Sequence, residues 1–283
     1  MLRQILVPLD TTQFTAAATR LAAQIAKRIR TLAGKHVVTL AGLGIVDTDQ
    51  IPSGKFAALV PREHILSEAR EKVKELLEAF RSQAIAEGIP PEQVATQYTE
   101  GAPFRAILQH HVFSDLVILG ASCSFPPAKK DYDTLEHLFH RASRPILLTP
   151  AEPREVDSVV LAMDGTAPSS RMMYAFAHGN PFPGAKVLLA HSRFEEEHHH
   201  QQEFFDRVEA YLRSFRFDVE QVRLEHRMLE ALPGLVESRN AGAIAIGVHA
   251  ERFLDRIRNP LNLVRSRVQQ LLHRTQVSLF TVH

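Results

Sequence analysis

Two aspartates stand at matching points of the sequence, each directly after a short apolar run and shortly before Thr or Ser residues. Asp10 follows the run ILVPL, and Asp164 follows VVLAM. A carboxylate at the end of a strand can accept hydrogen bonds from a sugar hydroxyl or ligate a metal ion. The same carboxylate can instead shape the turn or cap the helix that follows. The two roles are compatible, and the sequence leaves both open.

Two glycines close a second pair of apolar runs. Gly120 ends LVILG, and Gly247 ends AIAIG. A glycine after a buried strand lets backbone N–H groups approach a phosphate, and the N-terminus of a following helix attracts the same anion. The ordinary alternative is a glycine that permits a tight turn. We give this alternative slightly more weight.

The other reactive side chains form weaker patterns. The run EEEHHH at 195–200 contains Glu and His four residues apart, and His137 and His140 are three apart. Such spacing suits a metal on a helix, so a zinc-binding variant is one hypothesis, but a solvated surface run explains it better. Cys123 could be a redox thiol if a helix N-terminus lowers its pKa. The sequence contains no nucleophile elbow, Walker A loop or HExxH motif, and we predict no dedicated catalytic site.

The composition sets the class of protein. A chain of 283 residues predicts two domains, and 45% apolar residues suffice for two cores. The 33 basic and 32 acidic residues nearly balance, which argues against a nucleic-acid partner. The single Cys is typical of a reducing compartment. The N-terminal run lacks signal-peptide features and no apolar stretch is long enough for a membrane span, so we expect a cytoplasmic protein without a membrane partner.

Three pairs of segments repeat in the same order in the two halves of the chain. Each half contains a strand, an Asp and a helix; then a turn, a helix and a buried strand; then a helix and a last strand. The pairs are 4–29 with 158–179, 100–120 with 230–247, and 134–150 with 263–283. Further strand and helix patterns between them make each half a β-α-β-α-β-α-β-α-β series. Such a series predicts α/β domains with a parallel sheet covered on both faces, at 1–150 and 158–283, joined by a linker at 151–157.

These segments resemble the universal stress protein family, in its tandem two-domain form. The matching pieces are ILVPLD, the EGAP turn, LVILG and RPILL in the first half, and VLAMDGTAPSS, EALP, AIAIG and SLFTV in the second. The resemblance implies two Rossmann-like domains of the adenine nucleotide alpha hydrolase-like type. Each would have an open, five-stranded, mainly parallel sheet in the order 3-2-1-4-5. It also implies a ligand cleft at the carboxyl ends of strands one and four, where ATP lies in nucleotide-binding members.

Both halves depart from the family's phosphate loop, which has the pattern G-x2-G-x9-G-[S/T]. After Gly120 the second glycine position is Cys123, and the last two positions fall near Tyr132 and Asp133. The Pro126–Pro127 pair also removes two N–H donors. After Gly247 the second glycine position is Ala250, and counting back from the last strand puts Arg265 and Ser266 at the end of the pattern.

Side-chain cations could replace the lost backbone donors in the second half. Arg252, Arg256 and Arg258 join Arg265 in that loop. A guanidinium binds phosphate well, although a solvated surface explains these arginines more simply. If either cleft retains an anion, we expect it to be the second.

The leading hypothesis is a stress-associated binding or regulatory protein without catalysis, whose phosphate loops have degenerated. It would bind a small molecule or a partner protein, and the sequence identifies no certain cofactor. The resemblance further implies that the two halves form an intramolecular pseudo-dimer through their last strands, RPILLT and VSLFTV; a homodimer of the whole chain stays open. The alternative is an adenine-nucleotide protein, with ATP or AMP bound and at most slow ATP hydrolysis. Its two clefts would be lined by Pro8, Leu9, Asp10, Ile45 and Gly120, and by Met163, Asp164, Ser192, Gly247 and Ser266.

Overall fold

The computed structural model describes residues 2–34, 36–51, 61–127, 134–192, 201–247, 271–272 and 274–282. The chain divides into two compact units, Leu2–Arg144 and Pro145–His283. Among the described residues, no helix combines the length and the apolar character that a membrane crossing requires.

In its described residues, the first unit contains four strands and four α-helices in alternation. The strands are β1 (Gln4–Leu9), β2 (Thr39–Val46), β3 (Val94–Glu100) and β4 (Leu116–Gly120), and the helices are α1 (Phe14–Ala33), α2 (Arg62–Ala86), α3 (Pro103–His110) and α4 (Thr134–Arg141). The strands lie in the order β3-β2-β1-β4, and the neighbouring strands pair in parallel. Strands β1 and β4 are almost wholly buried, as expected for apolar runs in a sheet with both faces covered.

The described residues of the second unit repeat this alternation. Its elements are β5 (Ile146–Thr149), β6 (Ser158–Ala162), α5 (Ala167–Gly179), β7 (Lys186–Ser192), α6 (Gln201–Ser214), β8 (Val219–Leu224), α7 (Met228–Ser238), β9 (Ala243–Gly247) and β10 (Ser278–Val282). Strands β8-β7-β6-β9-β10 run parallel in that spatial order. The predicted mainly parallel α/β fold is confirmed, and the second half has the predicted order 3-2-1-4-5 in full.

Local sequence explains where α5 begins and ends. Thr166 has extended backbone angles and its side chain accepts a hydrogen bond from the N–H of Ser169, which caps the helix N-terminus. Pro168 lies in the first turn, where a missing N–H does no harm. Asn180 follows the helix in the left-handed conformation, and its N–H donates to the carbonyl of Phe176. The helix therefore starts at a fixed distance from Asp164, at the carboxyl end of β6.

Strand β5 belongs to the first half of the sequence repeat but to the second compact unit. It pairs antiparallel with β10, with Leu147 opposite Phe280. These are the two last strands that the resemblance paired. The stretch between β5 and β6 is also packed. Val156 is buried, and the carbonyl oxygen of Glu155 lies 2.2 Å from the point where a β-carbon on Gly242 would stand. The repeats in the sequence meet at 150–158, whereas the compact units divide after Arg144.

Candidate functional site

The five residues predicted for the first cleft gather at the carboxyl ends of β1, β2 and β4. Pro8 and Leu9 end β1, Ile45 lies near the end of β2, and Gly120 ends β4, with Asp10 one residue beyond β1. All five are buried. Parallel strands bring these ends to one edge of the sheet, and the chain reverses its strand order between β1 and β4, where α/β proteins hold ligands.

The carboxylate of Asp10 is bound entirely within the protein. Its Oδ1 accepts hydrogen bonds from the N–H of Thr12 (2.8 Å), the hydroxyl of Thr12 (2.7 Å) and the hydroxyl of Thr15 (2.8 Å). Its Oδ2 accepts one from the N–H of Ser124 (3.2 Å), which lies beyond β4. The carboxylate therefore shapes its own turn and also ties the β1–α1 loop to the chain that follows β4.

Burial and hydrogen bonding act in opposite directions on Asp10. Only 3% of the residue is exposed. This burial raises the pKa of the carboxyl above its usual range, and the hydrogen bonds from Thr12, Thr15 and Ser124 partly offset it by lowering the pKa. A buried carboxylate whose acceptors are already occupied has little capacity left for a sugar hydroxyl or a metal ion.

Residues 121–127, which we call the crossing segment, run from the end of β4 over the ends of β1 and β2. The carbonyl of Ser124 accepts from the N–H (2.8 Å) and the hydroxyl (2.9 Å) of Thr11, just after β1. The carbonyl of Pro126 accepts from the N–H of Asp47 (2.6 Å), just after β2. Phe125, between them, is fully buried. The crossing segment therefore occupies the edge at which the first cleft was predicted.

Gly120 has a packing role at this edge. A β-carbon on it would lie 2.2 Å from Cβ and 2.7 Å from Cγ of Phe14, the first residue of α1. No real side chain tolerates such a distance, so the glycine lets the start of α1 approach the end of β4. This is close helix–strand packing, one of the known uses of glycine in nucleotide-type folds.

The described residues of the second predicted cleft lie at the equivalent edge of the second unit. Met163 is buried after β6, and its N–H donates to the carbonyl of Ala190 on β7 (2.9 Å). Asp164 is only half-buried, and its Oδ1 accepts from the N–H (3.0 Å) and hydroxyl (2.6 Å) of Thr166. Ser192 ends β7 buried, and its hydroxyl donates to the carbonyl of His226 (2.7 Å).

Gly247 has the same packing role as Gly120, but its close neighbours are backbone atoms rather than a side chain. A β-carbon on it would lie 2.4 Å from the carbonyl carbon of Pro168 and 2.5 Å from the N of Ser169. The first turn of α5 is thus held against the end of β9. Nearby, Gly165 has a positive φ of 76°, and the ring of Phe204, 38% exposed, comes within 4.0 Å of its β-carbon position.

Several predicted residues lie outside the described ranges. They are Ser266, Ala250, the arginines of that loop (Arg252, Arg256, Arg258, Arg265), Tyr132, Asp133 and the run 195–200. Within the ranges that the structure describes, no three His, Cys, Asp or Glu side chains are grouped as metal ligands. His137 stacks on Phe104, with ring centroids 4.3 Å apart. Cys123 is buried in the crossing segment, which places its thiol away from solvent.

Sequence reasoning missed the polar partners of Asp10 and the course of the crossing segment. Thr12 and Thr15 carry a usable signal, since a Thr two residues after an Asp at a strand end is typical of a side-chain-stabilised turn. Ser124 and Asp47 carry none, because their hydrogen bonds join residues far apart in the chain.

Comparison with known proteins adds structural likeness only. No protein-family model and no curated protein sequence matches the chain. A solved universal stress protein from Archaeoglobus fulgidus DSM 4304 is similar over 98% of this chain and 94% of its own, at 16% identity and a TM-score of 0.68. The universal stress protein UspA from Lactobacillus plantarum is 21% identical over 52% of this chain and 96% of its own, with a TM-score of 0.41. The chain therefore has the fold of the Archaeoglobus universal stress protein.

Proposed function

We propose that this chain is a non-catalytic binding or regulatory protein of the universal stress protein type, whose first cleft is filled by its own crossing segment and takes no nucleotide. The observation that carries the proposal is the course of residues 121–127 over the ends of β1 and β2, fixed at Thr11 and Asp47. A ligand at this edge would have to displace the chain.

The free energy needed for that displacement would offset most of the binding free energy of a typical nucleotide, which is about 8 kcal/mol at micromolar affinity. Removing the crossing segment breaks three hydrogen bonds at its carbonyls and the one from Ser124 to Asp10. At about 1 kcal/mol each for hydrogen bonds and about 2 kcal/mol for exposing Phe125, the sum is near 6 kcal/mol. Since about 1.4 kcal/mol is a tenfold change in affinity, binding would weaken by about four orders of magnitude.

A second candidate function is adenine-nucleotide binding, with at most slow hydrolysis, in the second unit. It is favoured by the half-buried Asp164, which lies in the position that nucleotide-binding relatives give to an acidic residue. The partly exposed ring of Phe204 beside Gly165 offers an apolar face to a planar base. We infer that any nucleotide binds here rather than in the first unit.

Calorimetric titration with ATP, ADP and AMP in the presence of Mg²⁺ tests both proposals. We expect at most one nucleotide per chain, with binding lost in Asp164→Ala and retained in the matched variant Thr11→Val, which alters only the first edge. Two nucleotides per chain would overturn the filled first cleft. No binding at millimolar concentration would overturn the second candidate and leave the first proposal standing.

A further inference from the structure

His111 is a buried histidine with both ring nitrogens engaged. It lies in the short 3-10 turn His111–Phe113 that follows α3, and 4% of it is exposed. Its Nδ1 lies 2.6 Å from the carbonyl oxygen of Leu108. Its Nε2 lies 3.1 Å from both the N and the Oγ of Ser143, two residues beyond the end of α4.

These partners fix the tautomer of the ring. The carbonyl of Leu108 can only accept, so Nδ1 must carry the proton and donate it. The backbone N–H of Ser143 can only donate, so Nε2 must be an unprotonated acceptor. The geometry therefore requires a neutral imidazole with its proton on Nδ1.

We propose that His111 is a pH-sensitive latch that holds the C-terminal end of α4 while neutral and releases it when protonated. A proton on Nε2 would face the N–H of Ser143, and two donors cannot bond to each other. The hydroxyl of Ser143 can rotate to accept from the protonated ring, but the backbone N–H cannot. Protonation thus breaks the one hydrogen bond that joins the backbone beyond α4 to the imidazole of His111.

The positive charge of Arg144 also disfavours protonation of His111. Arg144 follows Ser143, donates to the carbonyl of Val112 (3.5 Å), and disfavours a second positive charge nearby. Burial first, and Arg144 to a smaller extent, lower the pKa of His111, while the hydrogen bond to Leu108 raises it. His110, on the same turn, is directed to Gln97 (2.7 Å), and the carboxylate of Asp115 accepts from the N–H groups of Arg3 and Gln4. The remaining titratable or charged side chains on α3 and α4 are Arg105, Glu136, His137, His140 and Arg141.

The sign of the effect follows from the lowered pKa. The folded protein binds fewer protons at His111 than the unfolded chain does, so protonation favours opening. The latch is fully closed above the ordinary histidine value of 6.5. It weakens as the pH falls below that value, by a limiting factor of about ten for each unit by which the pKa is lowered.

Hydrogen exchange of the Ser143 amide in the full chain measures directly how often the latch opens. With exchange rates corrected for intrinsic pH dependence, we expect protection to fall several-fold between pH 7.5 and 5.5 in the unaltered protein. His111→Gln, whose amide offers a donor and an acceptor that do not titrate, should lose that dependence, while His110→Gln should keep it. Ser143→Ala removes the hydroxyl alternative and should make the dependence steeper.

Four results would overturn the latch. By hydrogen exchange, they are an unaltered protein whose Ser143 protection does not change over this range, and a His111→Gln variant with the same pH dependence. By nitrogen-15 NMR of the unaltered protein, which serves even if His111→Gln fails to fold, they are a proton on Nε2 at pH 7.5 and a His111 pKa of 6.5 or higher. A proton on Nδ1 with a lower pKa supports the proposal.

Discussion

In the first unit the carboxylate of Asp10 is buried and accepts a hydrogen bond from Ser124, 114 residues away, whereas in the second unit Asp164 is half-buried and binds Thr166 within its own turn. The two aspartates have the same place in the repeat. The crossing segment packs onto the first, and the first carboxylate is the more deeply buried of the two. One sequence pattern thus serves as an internal cross-link in one unit, and in the other it places its aspartate in a half-buried turn.

Among the substitutions that test this comparison, we expect Phe125→Ala to have the largest effect on the free energy of unfolding. Phe125 is fully buried in the crossing segment, so truncating it should lower the free energy of unfolding by about 3–5 kcal/mol. The matched change in the second unit, Phe204→Ala, removes a partly exposed ring and should lower it by about 1 kcal/mol. Urea denaturation followed by circular dichroism measures both. Equal losses would contradict the greater contribution that we assign to the crossing segment.

The next largest effect is expected at Gly247, and it tests the close helix–strand packing that both units have. Gly247→Ala places a β-carbon against the backbone of Pro168 and Ser169, which cannot move as a side-chain tip can, so we expect a loss of about 1–3 kcal/mol. Gly234→Ala is the control, since nothing lies within 4 Å of its β-carbon position in α7. It should be neutral or stabilise by up to about 1 kcal/mol, the usual preference of a helix for alanine. A tolerated Gly247→Ala would contradict the packing role.

Replacing each aspartate by asparagine compares the two turns directly. In Asp10→Asn an amide nitrogen takes the place of an acceptor among N–H and O–H donors in a buried site, so we expect a loss of about 2 kcal/mol. Asp164→Asn should lose about 1 kcal/mol or less, because the residue is only half-buried. Thermal unfolding of both variants at one pH measures the difference, and a larger loss for Asp164→Asn would reverse the comparison.

The smallest effect concerns the titration of Asp10. Burial raises its pKa above 3.8, so the folded state binds more protons than the unfolded chain between the two values. The contribution of Asp10 to stability therefore falls as the pH rises through that window. Thr15→Val removes one hydrogen bond that lowers the pKa, and carbon-13 NMR of the Asp10 carboxyl should show a further rise. A pKa at or below 3.8 in the unaltered protein would contradict the role of burial.

The order of the elements could be predicted from the sequence, because each apolar run and helix signal is local. The strand before Asp10, the Thr166 cap and the strands closing on Gly120 and Gly247 all follow from neighbouring residues. The role of the two glycines could not, since it depends on how closely α1 and α5 approach strands from a later part of the chain.

The carboxyl ends of β1, β2 and β4 show more clearly what the sequence alone does not predict. The Pro126–Pro127 pair and Cys123 led us to predict that the family's phosphate loop has degenerated, but they do not predict where the chain goes instead. Its course is set by hydrogen bonds to Thr11 and Asp47, each between residues that are remote in sequence. Such pairings become visible only once the sheet has brought the strand ends together.

The position of β5 in the second compact unit decides where a fragment of this protein should begin. A fragment that begins at 158, where the second repeat starts, would have β10 as a bare sheet edge with unpaired N–H and C=O groups along one side. Exposed edges of this kind recruit other chains and aggregate. A fragment that begins at Pro145 carries β5 along and keeps that edge covered. The strand that the first repeat supplies thus pairs with the last strand of the second repeat from Leu279 to Thr281.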